Sequence, residues 1–119
     1  MSVLVSNLRY EANIMAIQVT FWGVRGSIAT PGPDTVQVGG NTSCVQVQCG
    51  ERQVILDTGT GMRLLGQKLL AERKRAQLSV FYSHMHWDHI QGLPFFTPVY
   101  IPGTEIDFHG PKGLAPALN

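Results

Sequence analysis

The chain has 119 residues, of which 44% are hydrophobic and only 14% are charged. This length accommodates one domain at most, and the hydrophobic fraction excludes a wholly disordered chain. Nine basic and eight acidic residues leave a net charge of +1, which excludes bulk electrostatic capture of nucleic acid or a membrane surface. No apolar run of about 18 residues and no signal-peptide core occur, so we expect a cytoplasmic protein with no membrane partner.

The first strand follows a segment of mixed polarity. Residues 1–15 interrupt their apolar stretches with polar side chains, so they are predicted to be a disordered leader, and translation starting at Met15 is an alternative. Apolar residues alternate with polar ones over 17–22, which predicts a strand. Residues 23–43 are rich in glycine, proline and small polar residues and predict a long irregular loop. The domain is expected to span residues 16–119.

A hairpin is predicted next. Residues 44–49 alternate in polarity, residues 50–52 have the composition of a tight turn, and residues 53–57 form the return strand. Cys44 and Cys49 would point to opposite faces of one strand, which disfavours a disulfide between them. We expect two buried, reduced thiols.

The pattern then changes from strand to helix and back. A helix is predicted over residues 60–75, because Leu65 and Leu69 recur at helical spacing. The continuous apolar run at 78–82 is typical of a strand that is covered on both faces. Residues 105–110 predict a last strand.

Three of the four histidines lie together directly after the apolar run. His84 and His86 project to the same side if the strand continues, because side chains repeat every two residues. A following turn can bring Asp88 and His89 to a neighbouring point. Two imidazoles that face one point suit a borderline metal such as zinc, and a carboxylate with a third imidazole can serve a second metal.

The long loop supplies candidates for substrate contact or for bracing of the loops, namely Arg25, Asn41 and Thr42. The Arg25 guanidinium can pair with two oxygens of a phosphate, or equally with a carboxylate such as Asp34. Residues 58–61 open the helix, and their backbone amides can either hold an anion or simply form the helix entry.

The pattern His-x-His-x-Asp-His after a buried strand resembles the signature of the metallo-β-lactamase fold superfamily. Segments 21–27, 39–44, 56–61 and 83–96 are similar to one bacterial branch of it. That branch is related to ribonuclease Z, to the cyclic-phosphate phosphodiesterase of phosphonate breakdown and to cyclic-nucleotide phosphodiesterases. The similarity covers about residues 17–110.

The resemblance implies an α+β fold, namely half of an αβ/βα sandwich with a mostly antiparallel mixed sheet and a covering helix. It places His84 and His86 on one metal and Asp88 and His89 on a second. The implied cofactor is zinc, two ions per complete site, and manganese or iron also fits. Asp57 and Asp88 are the candidate catalytic carboxylates. Asp57 is implied to anchor the metal-binding loop by hydrogen bonding, and Asp88 is a candidate proton acceptor.

The complete site of the superfamily also needs a later histidine, a bridging acidic residue and a final histidine, none of which follows in this sequence. His109 stands where the family has an ordinary strand residue. We therefore expect a truncated product, a fragment, or a half-fold that completes itself by association.

The implied function is that of a metal-dependent hydrolase. The expected reaction is hydrolysis of nucleotide-like or cyclic phosphate diesters by a metal-bound hydroxide, with RNA among the candidate substrates, and with this fragment inactive or incomplete by itself. One alternative is thioester or lactone hydrolysis on the same fold. A second is a non-catalytic metal-binding half-domain that functions or folds only by association.

The expected association rests on an apolar segment at residues 92–103. Its large apolar side chains are those of Leu93, Phe95, Phe96, Val99, Tyr100 and Ile101. Apolar surface of this extent usually marks an interface. We therefore expect a homo-oligomer, specifically a symmetric dimer that packs sheet on sheet.

Overall fold

The computed structural model describes residues 2–10 and 13–112, with side chains from residue 16 onward. These residues form one six-stranded sheet whose spatial order follows the chain. The strands are β1 (Ser2–Tyr10), β2 (Asn13–Gly23), β3 (Cys44–Cys49), β4 (Arg52–Leu56), β5 (Gln77–Phe81) and β6 (Glu105–His109). Pairing is antiparallel from β1 to β4 and parallel from β4 to β6. The predicted α+β fold with a mostly antiparallel mixed sheet is confirmed.

The N-terminal residues differ from the expected disordered leader over 1–15. The strand Ser2–Tyr10 pairs with β2 along its length, from Ser2 opposite Thr20 to Tyr10 opposite Asn13. A strand at the edge of a sheet tolerates frequent polar residues, so broken apolar stretches do not distinguish it from a leader. Residues 13–15 of that segment belong to β2, whereas residues 1, 11 and 12, and residues 113–119 of the predicted domain, lie outside the described residues.

The predicted hairpin is present as β3 and β4, and Gly50 (φ 57°) adopts the left-handed conformation in its turn. Both cysteines are free thiols, as predicted. Cys44 is fully buried, but Cys49 is only partly buried, so the expectation of two buried thiols is wrong for Cys49. The reason is that the two side chains point to opposite faces and only one face is covered.

One α-helix of ten residues, α1 (Met62–Ala71), covers that face. It is shorter than the predicted helix over 60–75, because Arg73 adopts a left-handed conformation (φ 54°) and ends the helical path. Gly66 lets the ring of Phe96 approach closely, since a Cβ atom at this position would lie 3.0 Å from that ring. The core consists of apolar side chains from α1, from the facing side of the sheet and from the segment after β5.

The other face of the sheet is not covered within the described residues. Leu56 and Phe81 remain 42% and 43% exposed, and in β5 only Leu78 and Val80 are buried. The prediction that this strand is covered on both faces is therefore wrong, because the described residues place a helix on one face only.

The apolar segment at 92–103 divides between core and surface. Phe96 is fully buried and Pro98 is also buried, whereas Phe95 and Tyr100 are 65% and 68% exposed. The segment contains two short 3-10 helices, Leu93–Phe95 and Thr97–Tyr100, and a third 3-10 helix spans Pro33–Thr35. Among the described residues, no helix has the length and apolar character needed to cross a membrane.

Candidate metal centre

The residues singled out for metal chemistry lie at the carboxyl ends of two neighbouring strands. Asp57 follows β4, and its backbone N–H donates to the carbonyl of Phe81 at the end of β5 (2.9 Å). Ser83 and His84 come just after β5. Because β4 and β5 are parallel, their carboxyl ends meet at one edge of the sheet, which is the usual location of sites in such arrangements.

A short helix, α2 (Trp87–Ile90), follows the strand end and carries Asp88 and His89. The turn after β4 packs directly against it. The backbone N–H of Thr58 donates to the carbonyl of His89 (2.8 Å), and that of Gly92 donates to the carbonyl of Thr58 (2.8 Å). A Cβ atom on Gly59 would lie 2.6 Å from the carbonyl oxygen of Asp88. The glycine therefore permits the close approach of turn and helix.

The carboxylate of Asp57 accepts three hydrogen bonds from the loop at residues 83–89. The Ser83 backbone N–H donates to Oδ1 (2.8 Å), and the Ser83 hydroxyl donates to Oδ2 (2.7 Å). Nδ1 of His89 lies 2.8 Å from Oδ2. The Asp57 side chain is only 7% exposed, and burial of a carboxylate is tolerated only with such partners. Asp57 thus lies behind the histidines and holds the loop in place.

The four residues predicted as metal ligands lie in one cluster. The ring centroid of His84 is 4.5 Å from that of His86 and 4.1 Å from that of His89. Nε2 of His89 lies 3.3 Å from Oδ2 of Asp88. The same Asp88 oxygen accepts a hydrogen bond from the backbone N–H of Ser27 (2.9 Å).

The pKa of Asp88 is lowered from its usual range. Desolvation by burial acts to raise it, but the hydrogen bond from Ser27 and the charges of His89 and His86 outweigh this effect. Asp88 is therefore ionised at neutral pH and available as an oxygen ligand or as a proton acceptor.

The chemistry of this cluster fits a divalent metal. An ionised carboxylate can only accept, so Nδ1 of His89 donates to Asp57, and in the neutral ring Nε2 carries a lone pair. Nε2 faces an Asp88 oxygen across 3.3 Å, and these two atoms can be bridged either by a proton on Nε2, which makes the ring a cation, or by a metal ion. The spacing equals the edge of a tetrahedron around an ion with bonds of about 2.0–2.1 Å. Among the described residues, however, no three His, Cys, Asp or Glu side chains converge as a complete metal-binding group.

The candidates for substrate contact behave differently from one another. Arg25 is exposed, and within the described residues it forms no ion pair with Asp34. Thr42 is fully buried, and its hydroxyl accepts a hydrogen bond from the backbone N–H of Thr60 (2.8 Å). The backbone N–H of Thr42 donates to the Thr60 hydroxyl (2.8 Å). The Thr60 hydroxyl in turn donates to Oδ1 of Asn41 (3.1 Å). Thr42 and Asn41 therefore brace two loops, which leaves the Arg25 guanidinium as the candidate free to meet a substrate.

Two further residues, Ser27 and Ser83, lie in the cluster without a predicted role. Ser27 contacts Asp88 from a loop 61 positions away, and no local pattern signals such a contact. Ser83 directly precedes His84, and the only feature of the sequence that could have indicated its role is this position of a hydroxyl next to the histidine motif.

Comparison with known proteins decides the family. The sequence profile of the metallo-beta-lactamase superfamily matches residues 37–106. The chain belongs to this superfamily. A search of curated proteins found no match.

Solved structures that resemble this chain agree with the match to the family profile. The metallo-beta-lactamase fold protein YhfI from Bacillus subtilis is 23% identical, with a TM-score of 0.59, over 82% of this chain and 38% of that protein. The short form of human tRNase Z is 26% identical, with a TM-score of 0.57, over 84% of this chain and 37% of that protein. A diphosphatase from the PhnP family is 21% identical, with a TM-score of 0.58, over 86% and 44%. The predicted family is confirmed, and the chain spans less than half the length of each of these structures.

Proposed function

We propose that this chain supplies the first part of the metal centre of a metal-dependent phosphodiesterase. The observation that carries this proposal is the pairing of His89 Nε2 with the Asp88 carboxylate at 3.3 Å, with Asp57 holding the opposite ring nitrogen at 2.8 Å. A carboxylate behind a ligand histidine is the usual support of a metal site. His84 and His86 add two further imidazoles beside it.

The metal would be held by His84, His86, Asp88 and His89, and the proposed ion is zinc, two per complete site, with manganese or iron also compatible. When bound, such ions polarise a phosphoryl oxygen and activate a water near neutral pH. Asp88, kept ionised by its surroundings, would accept the proton released at the reacting water. Asp57 would keep the ligand histidines oriented.

The proposed substrate is a nucleotide-like or cyclic phosphate diester, with RNA as the larger form. Support comes from the resemblance to the ribonuclease Z branch and from the exposed guanidinium of Arg25, which suits bidentate contact with a phosphate. A net charge of +1 means that recognition must be local, at this site, and the proposed compartment is the cytoplasm.

A second candidate function is a non-catalytic metal-binding half-domain that works by association. The observation that favours it is the sheet face on which Leu56 and Phe81 remain exposed, because a face of this kind is normally covered by another layer. A homo-oligomer that packs sheet on sheet would cover it. Light scattering of the purified chain tests this proposal, and a stable monomer would contradict it.

Zinc binding and turnover by the same preparation test both functions. We expect the chain to bind zinc in a chelator competition assay but to hydrolyse bis(p-nitrophenyl) phosphate poorly, because it supplies only the first part of the centre. His89→Gln should weaken zinc binding at least about 10-fold, whereas the matched variant His109→Gln, in β6, should leave it unchanged.

The outcomes separate the candidates. Hydrolysis of a thioester but not of the phosphate diester would contradict the proposed substrate class. Near-stoichiometric zinc together with measurable turnover of the diester would contradict the half-domain. A chain that binds no zinc would contradict both functions.

A further inference from the structure

The hydroxyl of Ser83 lies between the anchoring carboxylate and the first histidine of the motif. Its oxygen is 2.7 Å from Oδ2 of Asp57 and 3.0 Å from Nδ1 of His84. The backbone N–H of the same residue donates to Oδ1 of Asp57 (2.8 Å). Ser83 is therefore held by two hydrogen bonds to one carboxylate, and its hydroxyl oxygen, which keeps both lone pairs, faces an imidazole nitrogen.

The direction of these bonds follows from the donors and acceptors available. The ionised Asp57 carboxylate can only accept, and a serine hydroxyl carries a single hydrogen. The Ser83 hydroxyl therefore donates to Asp57, and at its contact with His84 it can only accept. The hydrogen between them must then be on Nδ1 of His84, which leaves the Nε2 lone pair of that ring free.

The same carboxylate sets the other ring directly, because Nδ1 of His89 lies 2.8 Å from Oδ2 of Asp57. One buried carboxylate thus fixes the tautomers of two histidines, one by direct contact and one through a hydroxyl. The ring of His86 has no hydrogen-bond partner in the part of the chain that the structure describes, so it provides an internal reference.

We propose that Ser83 is a positioning residue. Its hydroxyl connects the Asp57 carboxylate to His84 through two successive hydrogen bonds, called the relay below, and holds that ring in the Nδ1–H tautomer. The consequence for the metal rests on the proposed function, since it assumes that Nε2 of His84 is a ligand. The tautomer itself does not depend on that assumption and can be measured without metal.

The test uses the full chain with ¹⁵N-labelled histidine, free of metal and at mildly alkaline pH, with long-range ¹H–¹⁵N NMR to identify each tautomer. In the unsubstituted chain we expect Nδ1–H at both His84 and His89. Ser83→Ala should convert His84 to a mixture of tautomers while His89 and His86 keep their signals. Ser83→Thr retains a hydroxyl and should restore the Nδ1–H form of His84.

Zinc affinity provides the second measurement. Ser83→Ala should weaken zinc binding about 10- to 100-fold, the usual effect of losing a group that orients a ligand histidine, and Ser83→Thr should recover most of that loss. A merely structural role for the serine would not produce a change confined to the His84 tautomer.

Two results would overturn the relay: an Nε2–H tautomer at His84 in the unsubstituted chain, or a Ser83→Thr chain in which His84 behaves as in Ser83→Ala. The first needs no variant, so it holds even if Ser83→Ala does not fold. The two proposals can also fail separately. If the His84 tautomer is lost in Ser83→Ala and restored in Ser83→Thr, but the chain binds no zinc, the relay is supported and the proposed function is overturned.

Discussion

Replacing Asp57 by asparagine removes the charge at the centre of the cluster while preserving the shape of the side chain. Asp57 adopts a left-handed backbone conformation (φ 61°), which asparagine tolerates as well as aspartate. The substitution Asp57→Asn therefore tests hydrogen bonding and charge without adding backbone strain.

The expected magnitude follows from counting bonds. The carboxylate accepts three hydrogen bonds, one at Oδ1 from the backbone N–H of Ser83 and two at Oδ2 from the Ser83 hydroxyl and from His89. An amide can keep its oxygen at the position that accepts two bonds, and its NH2 group then meets the backbone N–H of Ser83. One lost hydrogen bond to a charged group amounts to about 1.5–3 kcal/mol, and we expect a loss within that range.

Urea unfolding followed by tryptophan fluorescence measures this loss, and chelator competition measures the zinc affinity of the same variant. Asp34→Asn is the matched control, since Asp34 is exposed and its substitution should change stability by less than about 0.5 kcal/mol. If Asp57→Asn lowers the free energy of unfolding by no more than this control and binds zinc equally well, the anchoring role of Asp57 is refuted.

Four other variants, one of them a control, test the packing and the buried thiol. Gly92→Ala places a Cβ atom 1.9 Å from the carbonyl oxygen of Gly59, so urea unfolding should show a loss of about 1–3 kcal/mol or more. Gly26→Ala, with open space around the new atom, should cost less than about 0.5 kcal/mol, and equal costs would contradict the close approach. Phe96→Ala empties a fully buried position and should cost about 3–5 kcal/mol. A loss below about 1 kcal/mol would show that this ring is not in the core. Burial raises the pKa of the Cys44 thiol, so the thiol ionises more readily in the unfolded chain and the free energy of unfolding should fall as pH rises above about 9. Cys44→Ala should reduce that slope by about 1.4 kcal/mol per pH unit, and an unchanged slope in pH-dependent unfolding would contradict the burial of a protonated thiol.

The sequence by itself determined the elements whose signals are local. Period-2 alternation located the β3–β4 hairpin, and helical spacing of Leu65 and Leu69 located α1, because side-chain periodicity follows directly from backbone geometry. The grouping of His84, His86, Asp88 and His89 was also visible, since all four lie within six consecutive positions.

Only the tertiary structure decided which surfaces and atoms those elements share. The burial of Phe96, the exposure of Phe81 and the pairing of β1 with β2 depend on which layers meet, and local composition is similar for either outcome. The contacts of Asp57 with His89 and of Ser27 with Asp88 join residues 32 and 61 positions apart. These distances depend on how the turn after β4 and the long loop pack against α2. Each such hydrogen bond arises from one contact between distant segments, so no periodic pattern in the sequence predicts it.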